Sequence, residues 1–315
     1  MNPELQRNIW LNLTTWRLAG MPLVLGMVFF SAGSLSPGGW LETVAPIARW
    51  LYVVIVIIWG TWLAARAVVG EIRDRTWDGQ RLSTLSPWTM LWGKLFGSTI
   101  YVWYGGVMCL AVILFDALNE KGMAGLLFDF AYYVSIALFA HTVTLLTSLL
   151  AVRRRSGHPR LEVFFYQLAG LAAAWLAWSL WGTIRSGELA GDMFWLGYRL
   201  PTAQFFLWSL IVFVLWAIVG CWRLMRAELQ MPGTPFLWLA FLGFMMVYAA
   251  GFADRTGFVG ETLTFLRLFL ALLMAALLTY VMAFSELKDW VLYRRLLGAL
   301  GRGRILSVLG QMQAW

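Results

Sequence analysis

Charge is what this 315-residue chain has least of. Asp, Glu, Lys and Arg together make up 13% of it, against 61% hydrophobic residues. Soluble domains carry about 25% charged and roughly 45–50% apolar residues, so there is too little polar surface here to cover a water-soluble body. The composition is that of a polytopic membrane protein. Cysteine is nearly absent: Cys109 and Cys221 both sit in apolar runs and read as small packing residues rather than a disulfide or a metal site. There is no H-E-x-x-H, no Cys/His cluster, no pair of carboxylates inside an apolar run and no Ser/His/Asp set, which argues against a metalloenzyme or an intramembrane protease. Nor is there a G-x-x-x-x-G-K-[ST] loop to cradle phosphate. Gly93-Lys94 is followed by Leu95, and no Gly stands five residues before Gly93. With no Pro/Ser linker, charged tail or internal repeat, residues 1–315 read as a single domain.

What is present is long apolar runs. Runs of about 20 residues mark membrane spans, and eight are legible: Leu18–Ala32, Ile47–Val69, Leu95–Phe115, Met123–Ala151, Leu161–Ile184, Ala203–Trp222, Phe236–Phe252 and Leu263–Phe284. The first, which contains Pro22, reads as a retained span rather than a cleaved signal, because a polar stretch with its own helical pattern precedes it. The expected fold is therefore all-α, a polytopic membrane helix bundle of about eight transmembrane helices. The 20 Trp suit it, since indole rings favour the membrane–water interface.

Orientation follows from Lys and Arg, which concentrate on the cytoplasmic side. With the N-terminus inside, 18 of the 24 fall on cytoplasmic segments and alternate with sparse outer loops. This explains the basic balance as a topology signal, with no nucleic-acid partner needed. It predicts eight spans with both termini in the cytoplasm. The richest cytoplasmic loop is RRRSGHPR, Arg153 to Arg160, which also suits anionic lipid heads. The largest outer loop, Arg185–Thr202, is expected to hold a short helix or to dip into the interface. Asp116, Asp129, Asp254 and Arg267 fall near outer ends of spans, within reach of water.

The chain opens on an amphipathic segment. Asn2 is placed to cap a helix with Pro3 at its first position, and Leu5, Ile9 and Leu13 follow at helical spacing. Residues 2–17 read as a helix lying in the membrane interface. The tail, 286–315, mixes Leu287, Trp290, Val291 and Leu297 with Lys288, Arg294 and Arg295. Either segment suits a membrane anchor or a contact for a cytoplasmic partner.

Between the second and third spans stands EIRDRTWDGQRLSTLSPWTMLWGKLFG, residues 71 to 97. Glu71–Arg75 and Asp78–Arg81 are i, i+4 and i, i+3 pairs, each worth a few tenths of a kcal/mol, which predicts a short helix over Glu71–Leu82 with Gly79 as its weak point. Ser86 offers an N-cap and Pro87 the first position of a second helix that runs into the third span. The reading is helix, elbow, helix. Gly93-x-x-x-Gly97 permits a close helix approach.

This stretch resembles the ABC-2 class of ABC transporter permeases, whose second and third spans are joined by E-R-E-x-G-T, a leucine-rich patch and T-P-[VL]-S-x-x-x-[IL]-L-x-G-K-L. Glu71, Thr76 and Ser86 fall on matching positions, and Leu91, Gly93, Lys94 and Leu95 match L-x-G-K-L without a gap. Arg75 stands where the family usually has Gly, Thr84 where it has Pro, and Arg81 where an apolar residue is usual. The family usually has six spans. The resemblance implies a membrane-spanning permease subunit of an ATP-driven exporter, with residues 71–92 as a cytoplasmic coupling helix that docks on a separate ATPase subunit. It implies Glu71, Arg73, Asp74, Arg75, Trp77, Asp78 and Arg81 as contacts to that ATPase, with Trp77 and Trp88 as anchors. It also implies a second permease copy or homologue, no enzymatic activity and no cofactor in this chain, and ATP and Mg on the partner. A span interior nearly free of charge suits a lipidic, amphipathic or peptide-like substrate. His141, inside the fourth span, is an intramembrane functional candidate; a neutral ring bonded to a neighbouring helix is the plainer reading. The alternative class is a polytopic membrane enzyme or assembly factor without transport activity.

Overall fold

Apolar sequence forces helices in a bilayer, because every backbone N–H and C=O must find its partner within its own segment. The computed structural model describes residues 2–35, 39–81, 85–152, 159–185, 191–229, 231, 236–285 and 290–302. The side chains of Asp78 and Arg81, the basic stretch 153–158, and 286–289 and 303–315 of the tail lie outside what is described. The helices are α1 (Pro3–Asn12), α2 (Thr15–Ser34), α3 (Trp40–Tyr52), α4 (Gly60–Arg73), α5 (Trp77–Arg81), α6 (Pro87–Trp92), α7 (Ile100–Val152), α8 (Pro159–Arg185), α9 (Thr202–Glu228), α10 (Phe236–Gly251), α11 (Gly260–Ser285) and α12 (Trp290–Leu300). A π turn, Val53–Trp59, joins α3 to α4, and a second, Gly93–Gly97, follows α6. Among the described residues, seven helical rods are long and apolar enough to cross a membrane.

The longest of them is bent back on itself. Gly122 has φ 70° and ψ −164°, which no helix accommodates. Trp103 and His141 would lie about 57 Å apart on a straight helix, yet their rings are 5.7 Å apart. The two arms of α7 therefore run antiparallel from a tip at Gly122, whose positive φ suits a residue without Cβ.

The chain divides into two compact units, Met1–Gly182 with Leu207–Met225, and Thr183–Phe206 with Arg226–Trp315. The apolar runs are alike in composition, so only side-chain fit decides which helices pack tightly. The core of the first unit gathers Leu25 and Phe29 of α2, Val44, Ala48 and Tyr52 of α3, Val56 of the π turn and both arms of α7. Tyr52 donates its hydroxyl to Tyr133 O at 2.8 Å. Asp116 and Asp129, expected within reach of water, are buried instead. Each is met by a cation: Arg49 pairs with Asp116, and Lys121 at the hairpin tip approaches Asp129 at 3.9 Å.

The second unit corrects another expectation. The loop before α9 holds a β-hairpin, not a helix. β1 (Asp192–Trp195) pairs antiparallel with β2 (Tyr198–Pro201). The turn residues Leu196 and Gly197 both have positive φ, 49° and 82°, the two-residue geometry that matches strand twist. Asp254 accepts from Gly197 N and holds Arg267 through Nε and Nη2 at 3.0 and 2.6 Å. The Trp195 ring lies over Gly251, where a Cβ would sit 2.1 Å from its Nε1, and Nε1 donates to Tyr248 O.

Candidate functional site

The site is a junction of four short elements around Lys94. It starts with α1. Asn2 Oδ1 accepts from Glu4 N and Leu5 N at 3.0 and 3.3 Å, with Pro3 at the first helical position. Asn2 Nδ2 also donates to Thr89 O at 2.7 Å, tying the start of α1 to α6. Glu4 and Asn8, one turn apart, seat against Gly93 and Gly97. A Cβ on Gly93 would come within 2.7 Å of Glu4 Cγ, and one on Gly97 within 2.8 Å of Asn8 Nδ2. The Gly-x-x-x-Gly face is thus a packing face, as its spacing predicts, and it receives the N-terminal helix.

Lys94 stands between these glycines with its side chain 1% exposed. Its ammonium donates to Glu4 Oε1 at 3.2 Å, to Gln80 Oε1 at 3.0 Å and to Glu71 Oε2. All three of its donors are used. The Trp77 ring lies 5.1 Å from Nζ, a cation–π contact. Gln80 Nε2 donates in turn to Glu71 Oε1 at 2.8 Å, and Arg7 Nη2 donates to the same oxygen at 3.3 Å. Two cations and two carboxylates are thereby closed into one network joining α1, α4, α5 and the start of the third span. An isolated buried ammonium would cost several kcal/mol; a paired and fully hydrogen-bonded one is tolerated.

The elbow itself differs from the expected helix over Glu71–Leu82. α4 stops at Arg73, and Arg75 adopts φ 58°. Arg75 N donates to Ile72 O at 3.2 Å and Thr76 N to Glu71 O at 2.9 Å. This is the left-handed cap that ends a helix and usually uses Gly. The expected Glu71–Arg75 pair does not form, because the cap turns Arg75 away and Glu71 is engaged by Lys94, Gln80 and Arg7. α5 then restarts at Trp77, and Ser86 caps α6, its Oγ accepting from Thr89 N at 3.2 Å with Pro87 next.

The seven residues expected at a partner surface divide. Arg73 and Asp74 are 61% exposed and pair with each other at 3.2 Å, and Arg75 beside them is exposed. Glu71 is occupied by the internal network. Trp77, expected as an interface anchor, is buried at 5% exposure, because its ring covers the Lys94 ammonium. Asp78 and Arg81 have side chains outside the described residues. Trp88 remains half-exposed in a ladder, stacked on Trp92 and Trp222 at 6.1 and 5.4 Å. His141 is buried in the core of the first unit, its Nε2 donating to Val56 O at 2.7 Å.

Sequence reasoning did not single out Lys94, Glu4 or Gln80 as site residues. The available signal was the G-K-L match, which places a lysine at the very foot of the third span. Among the described residues no three His, Cys, Asp or Glu group as metal ligands. The junction holds no acid, base or nucleophile aimed at open space; it can fix one short element rigidly against another. No protein-family model, curated protein or solved structure matches the chain.

Proposed function

We propose that the chain is the membrane-spanning subunit of an ATP-driven exporter, resembling the ABC-2 permeases, and that residues 71–92 receive the stroke of a separate ATPase subunit. The observation that carries this reading is the Lys94 junction. A loop that merely joined two spans would need no buried lysine binding three elements to it. A rigid elbow with a small charged face, Arg73–Asp74–Arg75, suits a contact that must pass a rigid-body tilt to the spans. Counting the two arms of α7 separately turns the seven rods into eight candidate crossings, a number that supports the reading in which the elbow lies on the same side as the start of the chain. The Lys and Arg bias supports the cytoplasmic side for the elbow, and the resemblance implies a bacterial inner membrane. ATP and Mg belong to the partner, and a second permease copy or homologue completes the path. The weakly charged spans suit a lipidic, amphipathic or peptide-like cargo.

The test is co-purification in mild detergent with mass spectrometry, comparing the parent chain with Arg73→Glu/Asp74→Arg/Arg75→Glu. These side chains are exposed and outside the Lys94 network, so the variant folds as the parent does. A stoichiometric P-loop ATPase with the parent, lost in the variant, is the expected result. A chain that purifies alone in both forms would sink the proposal.

A further inference from the structure

α3, the first π turn and α4 make one continuous rod, Trp40–Arg73, and its buried side keeps a period that an α-helix does not. Val44, Ala48, Tyr52, Val56, Gly60, Ala64 and Val68 are all buried, and they stand at strict intervals of four. An α-helix has about 3.6 residues per turn, so a period of four drifts by about 40° at each step, and over the whole rod by about 240°. An i→i+5 turn holds more residues than an i→i+4 turn. At Val53–Trp59 it underwinds the middle of the rod and returns Gly60, Ala64 and Val68 to the side of Val44, Ala48 and Tyr52.

Such a turn displaces carbonyls from their partners, and in a dry interior each must be met elsewhere. Here three consecutive carbonyls are met by side chains. Val56 O accepts from His141 Nε2 at 2.7 Å, and Ile57 O accepts from Thr61 Oγ1 at 2.8 Å. Ile58 O accepts from Thr61 Oγ1 at 2.9 Å and from Gln167 Nε2 at 3.1 Å. His141 comes from the second arm of α7 and Gln167 from α8, so neighbouring helices clasp the turn. Gly60 makes the room: a Cβ there would stand 2.1 Å from His141 Nε2.

We infer that the π turn, held open by His141 and Gln167, sets the rotational register of α4 and so decides whether Glu71 faces Lys94. His141 is then a positioning residue for a junction about 22 Å further along the rod. Releasing its carbonyl lets the turn rewind; one residue of rewinding rotates α4 by about 100° and carries Glu71 off the ammonium. The assignment concerns the chain alone and stands whether or not an ATPase docks.

The experiment places spin labels on Leu11→Cys and Arg73→Cys, both exposed, in a Cys109→Ala/Cys221→Ala background, and measures their distance by pulsed dipolar spectroscopy in lipid nanodiscs. His141→Leu is expected to shift the main distance by roughly 5–8 Å, the swing of a side chain on a helix of about 5 Å radius. His141→Gln, which keeps a donor, is expected to restore the parent distance. Gly60→Ala, which displaces the imidazole without removing it, is expected to reproduce the His141→Leu shift. Parent distances in folded His141→Leu or Gly60→Ala would overturn the inference, as would a shift that His141→Gln fails to restore. If neither His141→Leu nor Gly60→Ala accumulates, Gln167→Leu at the partly exposed rim decides alone: a shift in the same direction supports the inference and the parent distance overturns it.

Discussion

Lys94 brings a full charge into a place where its side chain is 1% exposed, and everything around it answers that charge. Removing it leaves the carboxylates of Glu4 and Glu71 with only the half-exposed Arg7 guanidinium, at 3.8 and 3.3 Å, to answer their charge. Breaking a buried pair from one side costs about 3–5 kcal/mol, so Lys94→Ala is expected to lower the melting temperature of the detergent-solubilised protein sharply. Arg7 touches the same carboxylates but is 52% exposed, and Arg7→Ala is expected to cost under about 1 kcal/mol. Equal losses in the two variants would mean that the junction is an ordinary surface cluster. None of this was legible at the residue itself. A lysine at the foot of a span reads first as a positive-inside charge, and its partners Glu4 and Gln80 lie 90 and 14 residues away in the chain.

Among elements, those whose start depends on adjacent residues were legible. Asn2-Pro3 and Ser86-Pro87 each begin a helix where the spacing predicts one, because a cap and a fixed φ act over three or four residues. The end of α4 was not, since the left-handed position is occupied by Arg75 rather than by glycine. Holding a residue with a Cβ there costs on the order of 1 kcal/mol. Arg75→Gly is therefore expected to raise stability by about 1 kcal/mol, read as a higher melting temperature. An unchanged or lower value would show that Arg75 is held there by contacts that outweigh the strain. The β-hairpin was missed for a related reason. Its turn is Leu196-Gly197, and leucine at positive φ carries no turn signal.

At the scale of the molecule, the sidedness of the proposed topology gives the cleanest measurement. Three crossings, the two arms of α7 and then α8, separate Arg73 from Tyr198. Cysteines placed at these two exposed positions are expected to react with a membrane-impermeant maleimide from opposite sides of the membrane: Tyr198→Cys in intact cells and Arg73→Cys only after permeabilisation. The native Cys109 and Cys221 are buried and contribute little background. Labelling of Arg73→Cys in intact cells would remove the elbow from the cytoplasm, and the proposed ATPase contact with it; labelling of both only after permeabilisation would overturn the three crossings between them.

The amino-acid sequence by itself determined that this is a multi-pass helical membrane protein, where its apolar rods run, and where two of its short helices begin. Each of these depends on composition or on neighbours within a few residues: a run long enough to cross a bilayer, a capping side chain, a proline at the first turn. Only the tertiary structure decided that Glu4, Glu71, Gln80 and Lys94 form one buried network and that His141 and Gln167 hold a π turn open. It also decided that the rods sort into two compact units. These features join residues far apart in the chain through donors, acceptors and glycine-sized gaps, and nothing in a local window of sequence specifies which distant partner fills them.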